Sequence, residues 1–436
     1  MMFEDLLTTD ETAKLLRVSQ KTVLRMVRSG GLRAHKVGRS WRIRRSDLPC
    51  RLVPESDGVV YLDDNASNPV HPDVVEAVMD VLRMQVGNAS SAHSVGERSH
   101  GMVEDARMRL ADLVGARPNE VVFTSGATEA NNLLLRGFPY EQRRRVLVSA
   151  GEHDSVIRTA EALEHSGSIT LSIAPLTSAG TVDLDWLEAQ LKVGDVALVS
   201  VVAANSETGV LNPVKAISGL AHETGASVHC DATQWVGRLP WSMEELNVDA
   251  ASLSGHKMCG PQGVGALIAR RSLLRRMRPV ATGGGHEDGL RSGSYNVAGI
   301  VGLGVASVFA ADAADARRMA RLRDRLVERL SKVSGVTVNG ASSPRLPNTA
   351  NVLFEGAAGD AVLARTPGVA ASLGSACHAG SMEPSSTLLS MGLSRDAARS
   401  SIRLSVTRFT TESDIDLAAT LLSSSVSAVR ELERVA

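Results

Sequence analysis

The 436-residue sequence predicts an α/β chain: a large domain on a mostly parallel sheet, preceded by a small basic helix-turn-helix head. Three observations carry this. From Val59 onward, short Val/Ile/Leu-rich runs ("EVVFT", "RVLVSA", "VALVSVVA", "ASVHCDA") alternate with amphipathic helical stretches. Residues 1–50 hold eleven basic side chains against five acidic ones, a net of +6 in a chain whose total is -1. The length exceeds what one small core accommodates and points to two or three domains.

The head reads in order. Thr9 is placed to cap a helix whose first turn carries Asp10 and Glu11, with Ala13 and Leu16 on one face. Ser19 caps a second helix that turns Val23, Met26 and Val27 inward and Lys21, Arg25 and Arg28 outward, and Gly30 and Gly31 end it. A turn at Gly38 then separates two short strands in which Trp41 and Ile43 alternate with Arg42 and Arg44. This order suits a helix laid in a DNA major groove with a wing on the phosphates, so Lys21, Arg25, Arg28, Arg39, Arg42 and Arg44 are the DNA-contact candidates. A basic appendage that binds a protein, or only solubilises the chain, is the other reading. Residues 51–58 read as a linker.

Several classes are disfavoured. No uncharged apolar run of about 18–20 residues occurs and no basic-then-apolar leader is visible, so the expected location is the cytoplasm, without a membrane span. Cys50, Cys230, Cys259 and Cys377 show no CxxC or Cys/His ligand spacing, which argues against a disulfide framework and against a metal site. Nucleotide loops of the GxxxxGK[ST] type, or GxGxxG after a strand, are absent from the sequence.

Five features bear chemistry. In "EVVFTSGATEANN" a strand ends at Thr124 and a helix begins near Ala127, offering free N–H groups and the Thr128 hydroxyl to an anion, although many such turns are Gly-rich for geometry alone. Lys257 sits on a glycine-rich turn between Ser254 and His256 on one side and Gly260 on the other; a dehydrated lysine there attacks an aldehyde as the neutral amine, and a surface lysine in a β-turn is the plainer reading. Asp231, at the end of a strand with Gln234 just beyond, suits a protonated pyridine nitrogen or a loop-start hydrogen bond. His153 suits stacking on such a ring, moving a proton, or capping a loop. Cys377 lies in "AASLGSACHAGSMEPSS", a Gly/Ser/Ala-rich stretch that suits an exposed thiol better than a buried hydrophobe; the other three cysteines read as structural.

In chain order, as phosphate turn, His153, Asp231 with Gln234, Lys257 and the Cys377 loop, the set resembles the fold-type I pyridoxal 5'-phosphate transferases and, more narrowly, the cysteine desulfurases carrying Gly-Ser-Ala-Cys. The resemblance runs from "VVYLDDNASNPVHPDV" at residue 59 to "SSIRLSVTRFTTESDID" near residue 416. Residues 6–48 resemble the excisionase-type, MerR-like winged helix domains. What this implies is a head over 1–50, a cofactor-binding large domain over 59–315 whose first segment joins the small domain, and a smaller α+β domain over 316–436 with the Cys377 loop. It further implies that Lys257 carries the cofactor covalently, that Ala127, Thr128, Gln234, Ser254 and His256 hold its phosphate and ring edge, and that Asp231 and His153 meet the ring. Ser294 in "GLRSGSYN" matches a residue that completes the partner subunit's phosphate site, which implies a homodimer. Arg403 in "SSIRLS" matches the arginine that clamps the substrate carboxylate.

The implied reaction takes sulfur from L-cysteine, releases alanine and leaves a persulfide on Cys377, with His378 a candidate to help ionise it. An acceptor protein serving iron-sulfur clusters, tRNA or DNA thiolation would receive the sulfur. Three departures stand out, the first being "NASNP" in place of the commoner Ala-Thr-Thr-Pro near the start of the resemblance. "ANSETG" places Ser206 where the family has a second asparagine against the cofactor's phenolic oxygen, so Asn205 or the Ser206 hydroxyl would stand in; Ser294 replaces a threonine and keeps the hydroxyl. Two other readings remain: a ligand-sensing regulator, as in GntR-type regulators fused to aminotransferase-like domains, and a selenocysteine or other C–S lyase. Cys377 favours the desulfurase, since a sensor has no use for a sulfur acceptor.

Overall fold

The computed structural model describes residues 6–15, 20–28, 32–38, 40–44, 58–310, 312–374 and 383–435. Chain contacts divide it into two units, Met1–Asp57 and Gly58–Ala436.

In the first unit a short strand, β1 (Leu6–Thr8), leads into α1 (Thr9–Leu15) and α2 (Gln20–Arg28), and β2 (His35–Val37) and β3 (Ser40–Arg44) form the hairpin. Gly38 takes φ +62° at its turn, where glycine is the unstrained choice. β3 is central, antiparallel to β1 and β2. Three residues show too little periodicity for β1 to be legible in the sequence, and its presence moves the helix cap by one residue. Thr8, not Thr9, caps α1: its Oγ1 accepts from the Glu11 N–H at 3.1 Å, and the Glu11 carboxylate accepts from the Thr8 N–H at 2.7 Å, a capping box. Ala13, Val23, Leu32 and Ile43 form the small core. Lys21, Arg28 and Arg44 are exposed and Arg42 is half-buried. Leu16, Ser19, Gly30, Gly31, Arg39, Cys50 and residues 51–57, with the side chains of Arg25 and Met26, lie outside the described residues.

The second unit begins with β4 (Val60–Tyr61), followed by α3 (Pro72–Arg83) and α4 (Ser94–Val114). Strand and helix then alternate as far as β9, and two further strands follow it: β5 (Val121–Thr124), α5 (Ala127–Gly137), β6 (Arg145–Ser149), α6 (Asp154–His165), β7 (Thr170–Ala174), α7 (Leu184–Leu191), β8 (Val196–Val202), α8 (Val214–Glu223), β9 (Ser227–Asp231), β10 (Ala250–Ser254) and β11 (Gly265–Ala269). These strands form one seven-stranded sheet in the order β5-β11-β10-β9-β8-β6-β7. Apolar clusters pack on both faces, which is why β8 reads as a continuous apolar run and is buried at every residue. β11 alone runs against its neighbours, because a tight connection after Ser254, not a crossover helix, joins it to β10.

The remaining chain builds β12 (Val336–Val338), β13 (Thr349–Phe354), β14 (Val369–Ala370) and β15 (Ser401–Ser405), with the long helices Ala313–Leu330 and Glu412–Val435. β12, β13 and β15 make an antiparallel sheet, and β4 pairs in parallel with β14. Val60 and Leu62 belong to this part's core, around Phe354 and Ile402. Among the described residues no single helix is long and apolar enough to cross a membrane.

The sheet directions decide where chemistry can occur. β5, β6, β8, β9 and β10 all point the same way, so Thr124, Ser149, Val202, Asp231 and Ser254 end on one rim, the place where open α/β sheets leave a crevice. β11 presses on that rim: a Cβ on Gly265 would lie 2.5 Å from the Leu253 carbonyl oxygen and 2.6 Å from Gly126 Cα. Gly265→Ala is therefore expected to cost about 1–3 kcal/mol by overpacking and to push the Gly126 turn outward. Gly219→Ala, in α8 with nothing within 4 Å of its Cβ, is expected to change stability in the opposite sense, by roughly 1 kcal/mol. Thermal unfolding of the two variants beside the wild type measures both.

Candidate active site

A cavity of about 720 Å³ opens on this rim. The turn after β5 forms one wall. Gly126 there takes φ 156° and ψ 179°, which side chains rarely tolerate, and no side chain caps α5. Gly126, Ala127 and Thr128 line the cavity, so the uncapped N–H groups and the positive end of the helix dipole are available to an anion. The Glu129 carboxylate is engaged elsewhere, accepting from the Ser125 N–H at 2.6 Å and from Arg291 Nε at 2.7 Å.

Asp231, at the end of β9, is held by two donors: the Thr233 N–H to Oδ1 and Asn131 Nδ2 to Oδ2, both at 3.0 Å. His153 caps α6, its Nδ1 accepting from the Ser155 N–H at 3.0 Å, which leaves the proton of the neutral ring on Nε2. Gln234 donates through Nε2 to the Asn65 carbonyl at 2.9 Å, while its Oε1 is buried without a partner. Ser254 ends β10 on the cavity wall.

Lys257 follows in a single 3-10 turn, and its Nζ donates to the carbonyls of Asn65 at 2.5 Å and Ala66 at 2.6 Å. Burial first, then the positive charges of Arg238 and Arg403, push this ammonium down to about 7. His256 is pushed down to about 4 by burial, then by Lys257 and Arg238, so it stands neutral; its Nδ1 lies 3.3 Å from Ser67 Oγ. Arg403, on β15, lines the same cavity with its Nη1 on the Ser206 carbonyl at 3.2 Å and its Nη2 on Asp63 Oδ1 at 2.7 Å.

Two of the sequence candidates fall elsewhere. Asn205 does not reach the cavity: its Nδ2 donates to the Gly151 carbonyl at 3.0 Å, and its Oδ1 accepts from the N–H groups of Glu207 and Thr208 at 2.9 Å each. That amide is committed to the 205–210 turn, so of the two stand-ins for the family asparagine only Ser206 lines the cavity. Ser294 is exposed and is not on the cavity wall of its own protomer. Cys377 and His378 lie outside the described residues; the chain reaches them through Ser372, Leu373 and Gly374, which line the cavity. Cys230 and Cys259 are buried and free.

Asp63, Asn65 and Ser67, which line the cavity, have no role assigned in the sequence analysis. Their signal is the polar run "DDNAS" set directly after the apolar "VVYL". Arg238 has none there either; it is buried and paired with Asp64 at 3.1 Å, and its charge bears on Lys257. Among the described residues no group of three or more His, Cys, Asp or Glu side chains is arranged to hold a metal ion.

Residues 60–417 match the family model described as aminotransferase class-V, and residues 6–48 match one described as a helix-turn-helix domain. The chain belongs to the class-V aminotransferase family, with a helix-turn-helix domain ahead of the family's own. Within it, the chain is similar to the cysteine desulfurase IscS of Anaeromyxobacter sp. (strain K), 42% identical over 380 residues that span 86% of this chain and 94% of that one. Two solved structures resemble it: a NifS-like protein, 34% identical with a TM-score of 0.78 over 85% of this chain and 100% of the other, and SspA in complex with cysteine, 32% identical with a TM-score of 0.73 over 81% and 100%.

Membership implies dependence on pyridoxal 5'-phosphate. The donor set fits that group: an uncapped helix N-terminus for a phosphate, a dehydrated amine for an aldehyde, and a fixed carboxylate for a ring nitrogen. Because burial lowers the Lys257 ammonium, the apoenzyme should take up pyridoxal phosphate at a rate that rises to about pH 7 and then levels, where an ordinary lysine would keep gaining to about pH 10.4. Stopped-flow absorbance across pH checks this, and Lys257→Ala should abolish the covalent phase.

Proposed function

We propose that this enzyme is a cysteine desulfurase that takes the sulfur of L-cysteine, releases alanine, and carries the sulfur as a persulfide on Cys377 to an acceptor protein. The observation that carries the reading is one cavity shared by a dehydrated lysine, Lys257, a buried arginine, Arg403, and the stem Ser372–Gly374 that leads to Cys377. The large domain over 59–315 supplies the first, and the small domain over 316–436 the other two.

The cofactor would be held by Lys257, by Ala127, Thr128, Gln234, Ser254 and His256 at its phosphate and ring edge, and by Asp231 and His153 at its ring. When bound it supplies an electron sink that acidifies the substrate Cα–H and weakens the carbon-sulfur bond. Lys257, whose ammonium burial pushes down to about 7, takes that proton and returns it, and His153 assists through Nε2. Arg403 orients the substrate by its carboxylate. The Ser206 hydroxyl takes the place of the family asparagine. Cys377 attacks the substrate sulfur, so that a sulfur-sulfur bond forms as the carbon-sulfur bond breaks; a thiol of ordinary pKa of about 8.5 is mostly protonated at neutral pH, and His378 is assigned to ionise it.

Ser294, exposed in its own protomer, is assigned to the partner subunit's phosphate site, which makes the working enzyme a homodimer. The head is assigned to DNA through Lys21, Arg25, Arg28, Arg39, Arg42 and Arg44, and the enzyme to the cytoplasm. Its acceptor serves iron-sulfur assembly, tRNA thiolation or DNA thiolation.

With L-cysteine and a thiol reductant, the wild type is expected to release sulfide and Cys377→Ala to lose at least about a hundredfold of the rate while still binding cofactor. Loss of nothing on that substitution would overturn the desulfurase reading in favour of a C–S lyase, and no release by either protein would favour a ligand sensor. Deleting residues 1–57 should abolish salt-sensitive retention on DNA and leave sulfide release intact, checked by binding titrations at two ionic strengths.

A further inference from the structure

The loop that follows β4 brings a second carboxylate to the arginine of the proposed substrate clamp. β4 continues past Tyr61 alongside β15: Asp63 forms a parallel bridge with Ser405, and the Ser405 N–H donates to the Leu62 carbonyl at 2.8 Å. Arg403 lies two residues back along β15, and side chains two apart share a face of a strand. The chain thereby sets Asp63 Oδ1 2.7 Å from Arg403 Nη2.

The two partners are unequally covered. The Arg403 side chain is 5% exposed and that of Asp63 is 21% exposed, and both line the cavity. Both terminal nitrogens of the guanidinium are engaged, Nη2 by Asp63 and Nη1 by the Ser206 carbonyl, while Nε is buried without a partner. Nη1 and Nη2 each carry a second N–H, but Asp63 takes one of the two on Nη2 and so competes with an incoming carboxylate for that nitrogen. Ser206 offers a backbone carbonyl in a turn pinned by Asn205, whereas Asp63 offers a partly exposed side chain on the cavity wall. The neighbouring Asp64 does not compete for Arg403, being buried against Arg238 at 3.1 Å and Asn348 at 3.0 Å.

We propose that Asp63 is an internal stand-in for the substrate carboxylate: it occupies Arg403 in the substrate-free site and gives up Nη2 when L-cysteine binds. The inference rests on the reading of Arg403 as the carboxylate clamp. Its physical basis is that a buried guanidinium without a counter-charge is costly, so an empty clamp needs an acid of its own. Exchanging one carboxylate for another keeps the arginine paired throughout. A thiol-amine without a carboxylate cannot make the exchange, and Asp63 then stays in place. Asp63 is a positioning residue whose contribution is selectivity, at the expense of affinity.

The test uses the holoenzyme and calorimetric titration with two probes. 3-Mercaptopropionate has the thiol and carboxylate of cysteine without the amine; cysteamine has the thiol and amine without the carboxylate. If the Asp63-bound state is about 80–90% populated, Asp63→Asn should bind 3-mercaptopropionate about five- to tenfold tighter than wild type and cysteamine unchanged. KM for L-cysteine should fall by a similar factor, and Asp63→Glu, which restores the charge, should behave as wild type. Asp63→Ser, smaller and also neutral, gives a second measure should the asparagine variant fold poorly. Unchanged or weaker binding of 3-mercaptopropionate by the neutral variants overturns the inference and makes Asp63 a support for the arginine. If Arg403→Gln leaves that binding unaltered, the clamp reading itself falls, and the inference with it.

Discussion

The cavity depends on one ammonium being taken out of water. Two carbonyls from the loop after β4, at Asn65 and Ala66, take the place of solvent at the half-buried Lys257; burial lowers its ammonium, and the positive charges of Arg238 and Arg403 lower it further. Carbonyls lend the ammonium hydrogen bonds but no full counter-charge, so burial is only partly compensated and the neutral amine becomes accessible near pH 7.

The same loop organises the surrounding charges. Asp64 neutralises Arg238 and Asp63 neutralises Arg403, so two buried guanidinium groups flank the amine without leaving an unpaired charge. Asn65 also accepts from Gln234 and, through Nδ2, donates to Thr349 and to the Ser206 carbonyl. Residues 63–66 thus tie the end of the main sheet to β13 and β15 of the smaller one. In an α/β domain the sheet supplies a rim of strand ends, and here residues 63–67 complete the wall of the cavity on that rim.

The parts of the site that were legible in the sequence are those whose signals are local. A strand ending in a small-residue turn before a helix marks the uncapped helix start at 124–128 on the cavity wall, and a lysine in "SGHKMCG" marks the amine, because steric permissiveness and free N–H groups are properties of a few consecutive residues. Asp231 and His153 are legible for the same reason, each closing or following an apolar run. β1 is not, since three residues cannot display a period, and so the cap of α1 was displaced from Thr8 to Thr9. The choice between Asn205 and Ser206 is likewise invisible in one dimension. It depends on which side chain the 205–210 turn consumes for its own N–H groups.

By itself, the sequence determined the α/β class, the basic head, the order of the chemical groups and the membership that this order implies. Only the tertiary structure decided that Asp63 meets Arg403 across 340 positions of chain, that two backbone carbonyls hold Lys257, and that Asn205 turns away. The reason is physical. Propensity, capping and turn chemistry act within a few residues and leave a readable trace, whereas ion pairing and dehydration depend on which distant segments share a small volume, and that is set by packing of the whole chain.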